Sequence, residues 1–361
     1  MLAAPLGDRV VLYDLVAEVV HVLNASAAVV WLSCDGATDL DGAVELIVGA
    51  TGADRVEVAG DVAAGVEQLR AVGLVGRVDA PPPPPPVERA AVRAGAHGPV
   101  HAVLDEGVRF VGDDRALLAE MTAVLAGADD QRPATIDIVV RALEDGTVRL
   151  DGWGPARTYG SRQALLEALP SALNQIAATS SSCIALHAGA VRSPSGEVVL
   201  LPALSGSGKT TLTAALVRDG WDYATDEAVG IRARSLRAVA YPKPLVLDLA
   251  SQQLLELPPT GTLNVLPAMV RADAVVLHGD IGTVGRVVLP RFEQGATVSL
   301  TELEPGDAVI GVLEHALNLA RVGQPGLDTL CQLAMTVPVH RLVHGGAVDA
   351  VPVLEALVAG R

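Results

Sequence analysis

Residues 7–78 combine a β-rich beginning with helical periodicity. Two β-rich runs, DRVVLYDL and EVVHVLN, are separated by a short break, which predicts a hairpin. The next segment predicts a helix that begins at Asn24 or Ser26 and stops at Gly36. A second short helix is predicted over DLDGAVELIVGATG, and a third helix is predicted over VEVAGDVAAGVEQLRAVGLV. One face of the third helix carries, at helical spacing, Val58, Val62, Val66 and Leu69. We therefore predict a small α+β, winged-helix-like domain over residues 1–78.

A run of six prolines in DAPPPPPPVERA ends this domain. Such a run cannot join a helix or a sheet interior, and it favours a stiff spacer of about 3 Å per residue. We place a proline-rich linker at residues 79–97. Residues 98–182 alternate short β-runs with helical runs and predict an α/β scaffold. Over residues 183–361 the order strand, loop, helix, strand predicts an α/β domain that contains parallel strands.

The loop SGSGKT lies between the apolar run GEVVLLPAL and the helical run KTTLTAALVRDG. A glycine-rich loop in this context is typical of a nucleotide phosphate loop, whose backbone N–H groups surround an anion. Lys209 is expected to contact the β- and γ-phosphates, and Thr210 to place its hydroxyl on Mg²⁺. Ala203 replaces the first glycine of G-x-x-x-x-G-K-[ST], which is tolerable at the strand exit if its φ stays negative. The predicted nucleotide-binding residues are Ser205, Gly206, Ser207, Gly208, Lys209, Thr210 and Thr211.

The use of lysine supports this interpretation. Of the 26 Lys and Arg residues, only Lys209 and Lys243 are lysines. A compact ammonium fits between phosphates where a planar guanidinium does not. Lys243 and Arg291 are further candidates for stabilising transferred charge, and an ordinary surface ion pair is the alternative for each.

Carboxylates that suit phosphoryl transfer follow the loop. Asp226 and Glu227 end a β-like run, and one could hold Mg²⁺ while the other takes the acceptor hydroxyl's proton. Asp280, after the apolar AVVLHG, is the alternative metal ligand. We favour Asp226 because it lies nearer to the loop in sequence and on the next predicted strand. His187 in ALHAGAV precedes the loop, although a histidine on an apolar strand is more often a core residue.

The acidic balance of the chain excludes several classes of partner. The net charge is −16, and residues 1–79 hold 12 Asp and Glu against 4 Arg. Binding to nucleic acid or to anionic membranes relies on basic patches, so we expect neither, and a DNA-binding winged helix is disfavoured. The widely spaced Cys34, Cys183 and Cys331 predict reduced thiols. The sequence has no signal-like or membrane-spanning run, so we expect a cytoplasmic protein. A homo-oligomer is possible, and the sequence does not determine the oligomeric state.

The first domain resembles the PqqD-like family. The resemblance is carried by a strand ending in HVLN, a small-residue helix containing AAVVW and a following DG-T helix. It implies that the leader of a ribosomally made precursor peptide binds as an extra strand on a sheet edge, with the third helix closing the groove. The peptide-binding residues so implied are Val19, Val20, His21, Val22, Leu23, Val62, Val66 and Leu69. For individual residues, ordinary core packing is the alternative.

The rest of the chain, over roughly residues 98–357, resembles the HPr kinase/phosphorylase superfamily, particularly its HPr-kinase-related branch. The resemblance is carried by LHAGAV, LLPALSGSGKTTL, GWDYATDEAVGI, YPKPL and RVVLPRFEQGATVSLTELEPGDAVIGVLEHALN. It implies Mg²⁺-dependent transfer of the γ-phosphoryl group of ATP to a serine of a protein or peptide. The implied catalytic residues are Asp226 as general base, Lys209 and His187; the implied metal ligands are Thr210, Asp226 and Glu227. Glu227 departs from the family's second Asp. An R-G-L-G-type signature is not found, so we expect neither reversal by phosphate nor HPr as the target.

The two resemblances together predict one mechanism. A leader-binding domain tethered to a kinase raises the effective concentration of the precursor at the kinase site. We therefore expect an ATP-dependent kinase that phosphorylates a Ser or Thr of the bound precursor peptide. The alternatives are a nucleotide-responsive, leader-binding accessory protein without kinase activity, and a small-molecule kinase. The precursor, the acceptor residue and the nucleotide preference remain open.

Overall fold

The chain folds into two compact units, Met1–Pro83 and Pro84–Arg361. The fold is mixed α/β, with the small unit at the N-terminus. The computed structural model describes residues 1–34, 39–75, 95–125, 132–204, 206–259 and 261–360. Gly36, Ser205 and most of the predicted linker therefore lie outside the described residues.

The N-terminal unit contains an antiparallel sheet of three strands in the order β1-β2-β3. Its elements are β1 Leu2–Leu6, β2 Arg9–Asp14, β3 Val19–Leu23, α1 Ala25–Ser33, α2 Leu40–Thr51 and α3 Arg55–Ala71. The predicted hairpin is β2–β3, and β1 is a strand that the sequence did not predict. Asn24 caps α1, because its Oδ1 accepts a hydrogen bond of 2.9 Å from the Ala27 N–H. Since β3 pairs within this sheet only with β2, it lies at the edge.

The apolar face of α3 closes the core of this unit. Val62, Val66 and Leu69 are each less than a tenth exposed and pack with Leu12 and Leu23 of the sheet. The helical spacing in the sequence thus predicted the buried face of α3. Removing this face from water is the main favourable contribution to a fold of this size.

The second unit begins with a five-stranded sheet in the order β4-β5-β6-β7-β8. Its elements are β4 Ala96–Val103, β5 Glu106–Gly112, α4 Arg115–Val124, β6 Ile136–Ala142, β7 Val148–Asp151, β8 Arg157–Tyr159 and α5 Arg162–Ser180. β4 thus starts two residues before residue 98, where the α/β scaffold was predicted to begin. The core of this sheet continues into the next one, because Leu169 and Ile136 belong to the same apolar cluster as Val239 and Tyr241.

An eight-stranded sheet follows, in the order β10-β9-β12-β13-β16-β18-β17, with β11 paired to β9. Its strands are β9 Ile184–Arg192, β10 Val198–Pro202, β11 Asp222–Thr225, β12 Ala228–Ile231, β13 Arg237–Ala240, β16 Gly279–Phe292, β17 Ser299–Glu302 and β18 Val339–His344. A separate pair is formed by β14 Leu245–Val246 and β15 Asn264–Val265. The helices are α6 Lys209–Arg218, α7 Leu249–Leu254, α8 Pro267–Val270, α9 Pro305–Leu313, α10 Leu319–Val322, α11 Gln324–Thr336 and α12 Ala347–Val358.

The position of β10 determines where the site forms. β10 pairs antiparallel with β9 on one side and parallel with β16 on the other, and β16 pairs parallel with β18. The carboxyl ends of β10, β16 and β18 therefore meet at one edge, which is where open α/β sheets bind ligands. Among the described residues, no helix has both the length and the apolar character needed to cross a membrane.

Candidate active site

The turn between β10 and α6 has the backbone of an anion cradle. Gly206 and Gly208 have φ of +84° and +81°, and Gly208 is the N-cap of α6. Positive φ is open to glycine at little cost, and the first N–H groups of a helix lack internal partners. Ala203 keeps a negative φ, so the missing glycine of the pattern does not strain the strand exit.

A cavity of about 840 Å³ opens at this turn. Of the predicted site residues, it is lined by His187, Gly206, Gly208, Lys209, Thr210, Thr211, Asp226 and Glu227. Ser207 lies beside it: its carbonyl oxygen accepts a hydrogen bond of 3.2 Å from the Phe292 N–H. Ser205 lies outside the described residues. The fold therefore brings together residues that are up to forty positions apart in sequence, from His187 to Glu227.

Lys209 is held by the histidine upstream of the loop. Its Nζ lies 2.7 Å from Nε2 of His187, and Nδ1 of His187 lies 2.9 Å from the backbone oxygen of Glu227. A carbonyl oxygen only accepts, so Nδ1 carries the ring proton and Nε2 accepts from the ammonium. Burial lowers the pKa of Lys209 to about 8, although Glu227 and Asp226 oppose the change. Burial and the neighbouring Lys209 lower the pKa of His187, which keeps the ring neutral.

Lys243 supplies the counter-charge to the acidic pair. Its Nζ lies 3.0 Å from Oδ1 of Asp226 and 3.5 Å from Oε2 of Glu227, and only 2% of the Lys243 side chain is exposed. Burial by itself would lower the pKa of Lys243, but the charges of Asp226 and Glu227 outweigh it and raise the pKa. The Tyr223 hydroxyl donates to the Lys243 carbonyl oxygen at 2.7 Å and lies 3.3 Å from Asp226 Oδ1. The second lysine of the chain is therefore part of the site.

Strand pairing explains why the acidic pair faces the loop. Asp226 and Glu227 form the turn between β11 and β12, and both strands pair with β9. Ala228 of β12 is the register partner of His187, so Glu227 ends next to the histidine. β9 in turn pairs with β10, which leads into the loop. This arrangement is a property of the sheet and not of any one segment.

The structure adds two histidines that the sequence did not indicate as site residues. His344, at the end of β18, is 1% exposed, and neither ring nitrogen has a hydrogen-bond partner in the described part of the chain. Burial lowers its pKa, although the Gly346 backbone acts in the opposite direction. A Cβ added to Gly208 would lie 3.4 Å from Cε1 of His344 and 3.3 Å from Cβ of Phe292. His344 therefore packs against the phosphate loop from the β18 side.

The second histidine, His315, lies beside His187 in the loop after α9. Its backbone oxygen accepts a hydrogen bond of 2.8 Å from the His187 N–H. Burial, reinforced by the nearby His187 and Lys209, lowers the pKa of His315 to about 4. Its only sequence signal was its position in GVLEHALN, one of the segments that carry the resemblance.

The remaining candidates are surface ion pairs. Asp280 lies 2.8 Å from Arg237, and Arg291, which is 70% exposed, lies 2.8 Å from Glu293. Neither Asp280 nor Arg291 lines the cavity. The geometry therefore favours Asp226 over Asp280 as a ligand near the loop.

The residues present fit a magnesium ion that arrives with a nucleotide. Within the described ranges, no group of three or more His, Cys, Asp and Glu is arranged to hold a metal by itself. Mg²⁺ is usually held by one or two carboxylates together with waters and substrate phosphates. Thr210, Asp226 and Glu227 line the same cavity as Lys209 and supply the oxygen atoms that such an ion prefers.

The predicted peptide-binding residues of the N-terminal unit fall into two sets. β3, which spans Val19–Leu23, forms the sheet edge; Val19 is 44% exposed and Leu23 is buried. The second set lies in the core of the unit and consists of Val62, Val66 and Leu69. For these three side chains, the alternative of ordinary core packing applies. The sheet edge is the part of the prediction that is accessible to a peptide.

Residues 9–75 match the family model of PqqD, described as coenzyme PQQ synthesis protein D. The N-terminal unit carries a PqqD-like domain. This domain indicates involvement in the recognition of a ribosomally made precursor peptide. No curated protein is significantly similar to the chain.

Proposed function

We propose that this chain is an ATP-dependent kinase that phosphorylates a Ser or Thr hydroxyl of a precursor peptide held through its leader by the PqqD-like domain. The observation that carries the proposal is one cavity that joins a phosphate-loop turn to a buried carboxylate. That cavity is lined by Gly208, Lys209, Asp226 and Glu227.

The loop side of the cavity suits a nucleotide. The α6 N-terminus offers unpaired N–H groups and the positive end of the helix dipole to an anion. Lys209, which now donates to the neutral His187, needs only to turn to reach a phosphate oxygen. A triphosphate is a charged acceptor and forms a stronger hydrogen bond with an ammonium than a neutral imidazole does.

The acidic side suits a hydroxyl acceptor. In the proposed step, the Ser or Thr oxygen forms a bond to the γ-phosphorus while the bond between that phosphorus and the bridging oxygen of ADP breaks. The hydroxyl proton passes to Asp226, which later releases it to solvent. Lys243 Nζ, 3.0 Å from Oδ1 of Asp226, holds this carboxylate in place and balances its charge in the buried site.

Mg²⁺ would be held by Thr210, with Asp226 or Glu227, and its chemistry is to neutralise charge on the phosphate oxygens. Glu227 also has a role that needs no metal. Its backbone oxygen orients the His187 ring, and its carboxylate shares Lys243 with Asp226.

Transfer of labelled γ-phosphate from ATP to peptides encoded beside the gene tests the proposal. We expect transfer by the wild type, and a loss of about a hundredfold or more in Asp226→Asn and Lys209→Met. The matched control is Asp280→Asn, a carboxylate outside the cavity, which should keep wild-type transfer. A protein that binds ATP but phosphorylates no peptide overturns the proposal and leaves a nucleotide-responsive accessory protein.

The leader half of the proposal has its own test. Val19 in β3 is 44% exposed, and Val16 in the turn before it is 58% exposed. A charge at the strand edge should weaken binding of a fluorescent leader peptide to the full-length Val19→Asp variant by about tenfold. Val16→Asp is the control and should bind as the wild type does. Equal binding by both variants would show that the leader does not use this edge.

A further inference from the structure

The cavity beside the phosphate loop has one wall of exposed apolar side chains. Val246, Leu254 and Leu263 line it, and each is about half exposed. They lie in β14, in α7 and just before β15, and the Leu247 N–H donates to the Leu263 oxygen at 2.9 Å across this small module. Apolar side chains gathered at the mouth of a cavity usually mark a binding surface.

This apolar wall, formed by Val246, Leu254 and Leu263, is joined directly to the acidic end of the site. β14 follows Lys243 after a single residue, and the Lys243 ammonium, which pairs with Asp226, also donates to the Pro244 oxygen at 3.2 Å. Asp226 and this wall line one cavity, so a peptide whose hydroxyl reaches Asp226 has the wall within the same cavity for its neighbouring groups. The wall is thus placed to contact the acceptor.

The wall has few polar groups left for a nucleobase. The Ser251 hydroxyl of α7 already pairs with the Thr211 hydroxyl at 3.0 Å, and Asp248 accepts the Ser251 N–H at 2.7 Å. A base edge packed against Val246, Leu254 and Leu263 would find no polar partner on these three side chains themselves. The opposite flank of the loop offers the half-exposed ring of Phe292 and the buried imidazole of His344. That flank suits a nucleoside better.

We infer that the apolar wall receives a hydrophobic side chain next to the acceptor Ser or Thr, so that the enzyme selects acceptor sites with apolar neighbours in the peptide. The inference rests on the proposed kinase function and extends it to the class of substrate sequence. Val246, Leu254 and Leu263 carry no charge, and the exposed Asp248 that lines the same cavity would repel an acidic neighbour.

A competition between two synthetic peptides tests the inference with the full-length protein. The peptides differ only in whether Leu or Asn flanks a single Ser, and both compete for labelled phosphate from ATP in one reaction. Their product ratio then equals the ratio of their kcat/KM values. Because burial of a Leu side chain is strongly favourable, we expect the wild type to prefer the Leu peptide by about tenfold or more.

Two substitutions in α7 give the matched comparison. Leu254→Ser removes a wall residue and should reduce the preference to about twofold or less. Leu249→Ser alters a residue that is 69% exposed and does not line the cavity, so it should keep the wild-type preference. Kd for ATP should be the same in both variants.

The outcomes separate the inference from the kinase proposal. If the wild type phosphorylates both peptides equally, the inference is wrong and the kinase proposal is unaffected. The same holds if neither peptide is phosphorylated while a full precursor is. A raised Kd for ATP in Leu254→Ser, with the peptide preference unchanged, also overturns it and assigns the wall to the nucleobase. Absence of transfer to any peptide, the full precursor included, overturns both proposals.

Discussion

The Lys209 ammonium donates a hydrogen bond of 2.7 Å to Nε2 of His187, so the lysine of the glycine-rich loop is paired with a neutral group. The opposite ring nitrogen of His187 donates to the Glu227 carbonyl oxygen, which fixes the ring. Burial outweighs the opposing charges of Glu227 and Asp226, so the pKa of Lys209 falls to about 8. The Lys209 ammonium therefore loses its proton more easily than an ordinary lysine does as long as no anion is bound beside it.

The first prediction concerns the pH dependence of ATP binding. Above its pKa of about 8, Lys209 is largely neutral in the free protein, whereas bound phosphate requires the ammonium. ATP affinity should therefore fall by about tenfold for each pH unit above that value. Calorimetric titration measures the effect in the wild type and in Lys209→Met, which has no titrating group at this position and should bind ATP weakly at every pH. A flat wild-type profile up to about pH 9.5 would contradict the low pKa.

The second prediction concerns the buried pair Asp226–Lys243. Lys243→Met leaves the buried Asp226 without its paired cation and should lower the free energy of unfolding by about 3–5 kcal/mol. Asp226→Asn leaves Lys243 paired with Glu227 at 3.5 Å and should cost less. The double variant should lose less than the sum of the two. Urea denaturation measures all three. Arg291→Met breaks an exposed ion pair and should change stability little; additive losses in the double variant would show that the pair is not coupled.

The third prediction separates the two glycines of the loop. Both have positive φ, so alanine at either position should cost about 1–2 kcal/mol of stability. The added methyl group at Gly206 meets nothing within 4 Å, whereas at Gly208 it approaches Phe292 and His344. Gly208→Ala should therefore cost at least about 1 kcal/mol more than Gly206→Ala in urea denaturation. Equal losses would argue against close packing between β16, β18 and the loop.

The fourth prediction concerns stability in acid. The folded protein holds His315 neutral down to about pH 4, whereas the unfolded chain protonates the ring near its usual pKa of about 6.5. The unfolded state therefore binds more protons, and stability should fall as pH drops from about 6.5 to about 4, by at most about 3 kcal/mol from this group. His315→Gln should flatten this part of the curve. The same slope in both proteins, measured by urea denaturation at a series of pH values, would count against the assignment.

Local features of both units were predictable because they depend on residues that are adjacent in sequence. The N-cap at Asn24, the buried face of α3 and the boundaries of β10 and α6 follow from spacing, capping and glycine position. The negative φ of Ala203 agrees with the condition that the loop pattern set. The first strand, β1, was missed because its pairing with β2 depends on a partner and not on its own alternation.

Residues that act through distant partners were not predictable to the same degree. Lys243 was only a weak candidate, since nothing near it in sequence shows that β13 would bring it to Asp226. His344 was not a candidate at all, because its contact with Gly208 depends on the parallel pairing of β16 with β18. Val62 was proposed as a groove residue, and its burial in the core follows from how α3 packs on the sheet.

The sequence by itself determined a strand, a glycine-rich turn that leads into Lys209, and a helix, because backbone freedom at glycine and periodic burial are local properties. It also carried the PqqD-like pattern of the first domain. The tertiary structure decided which charges meet: Lys209 with His187, and Lys243 with Asp226. The reason is physical, since strand register sets the distances between remote side chains, and burial removes the water that would otherwise weaken their interactions.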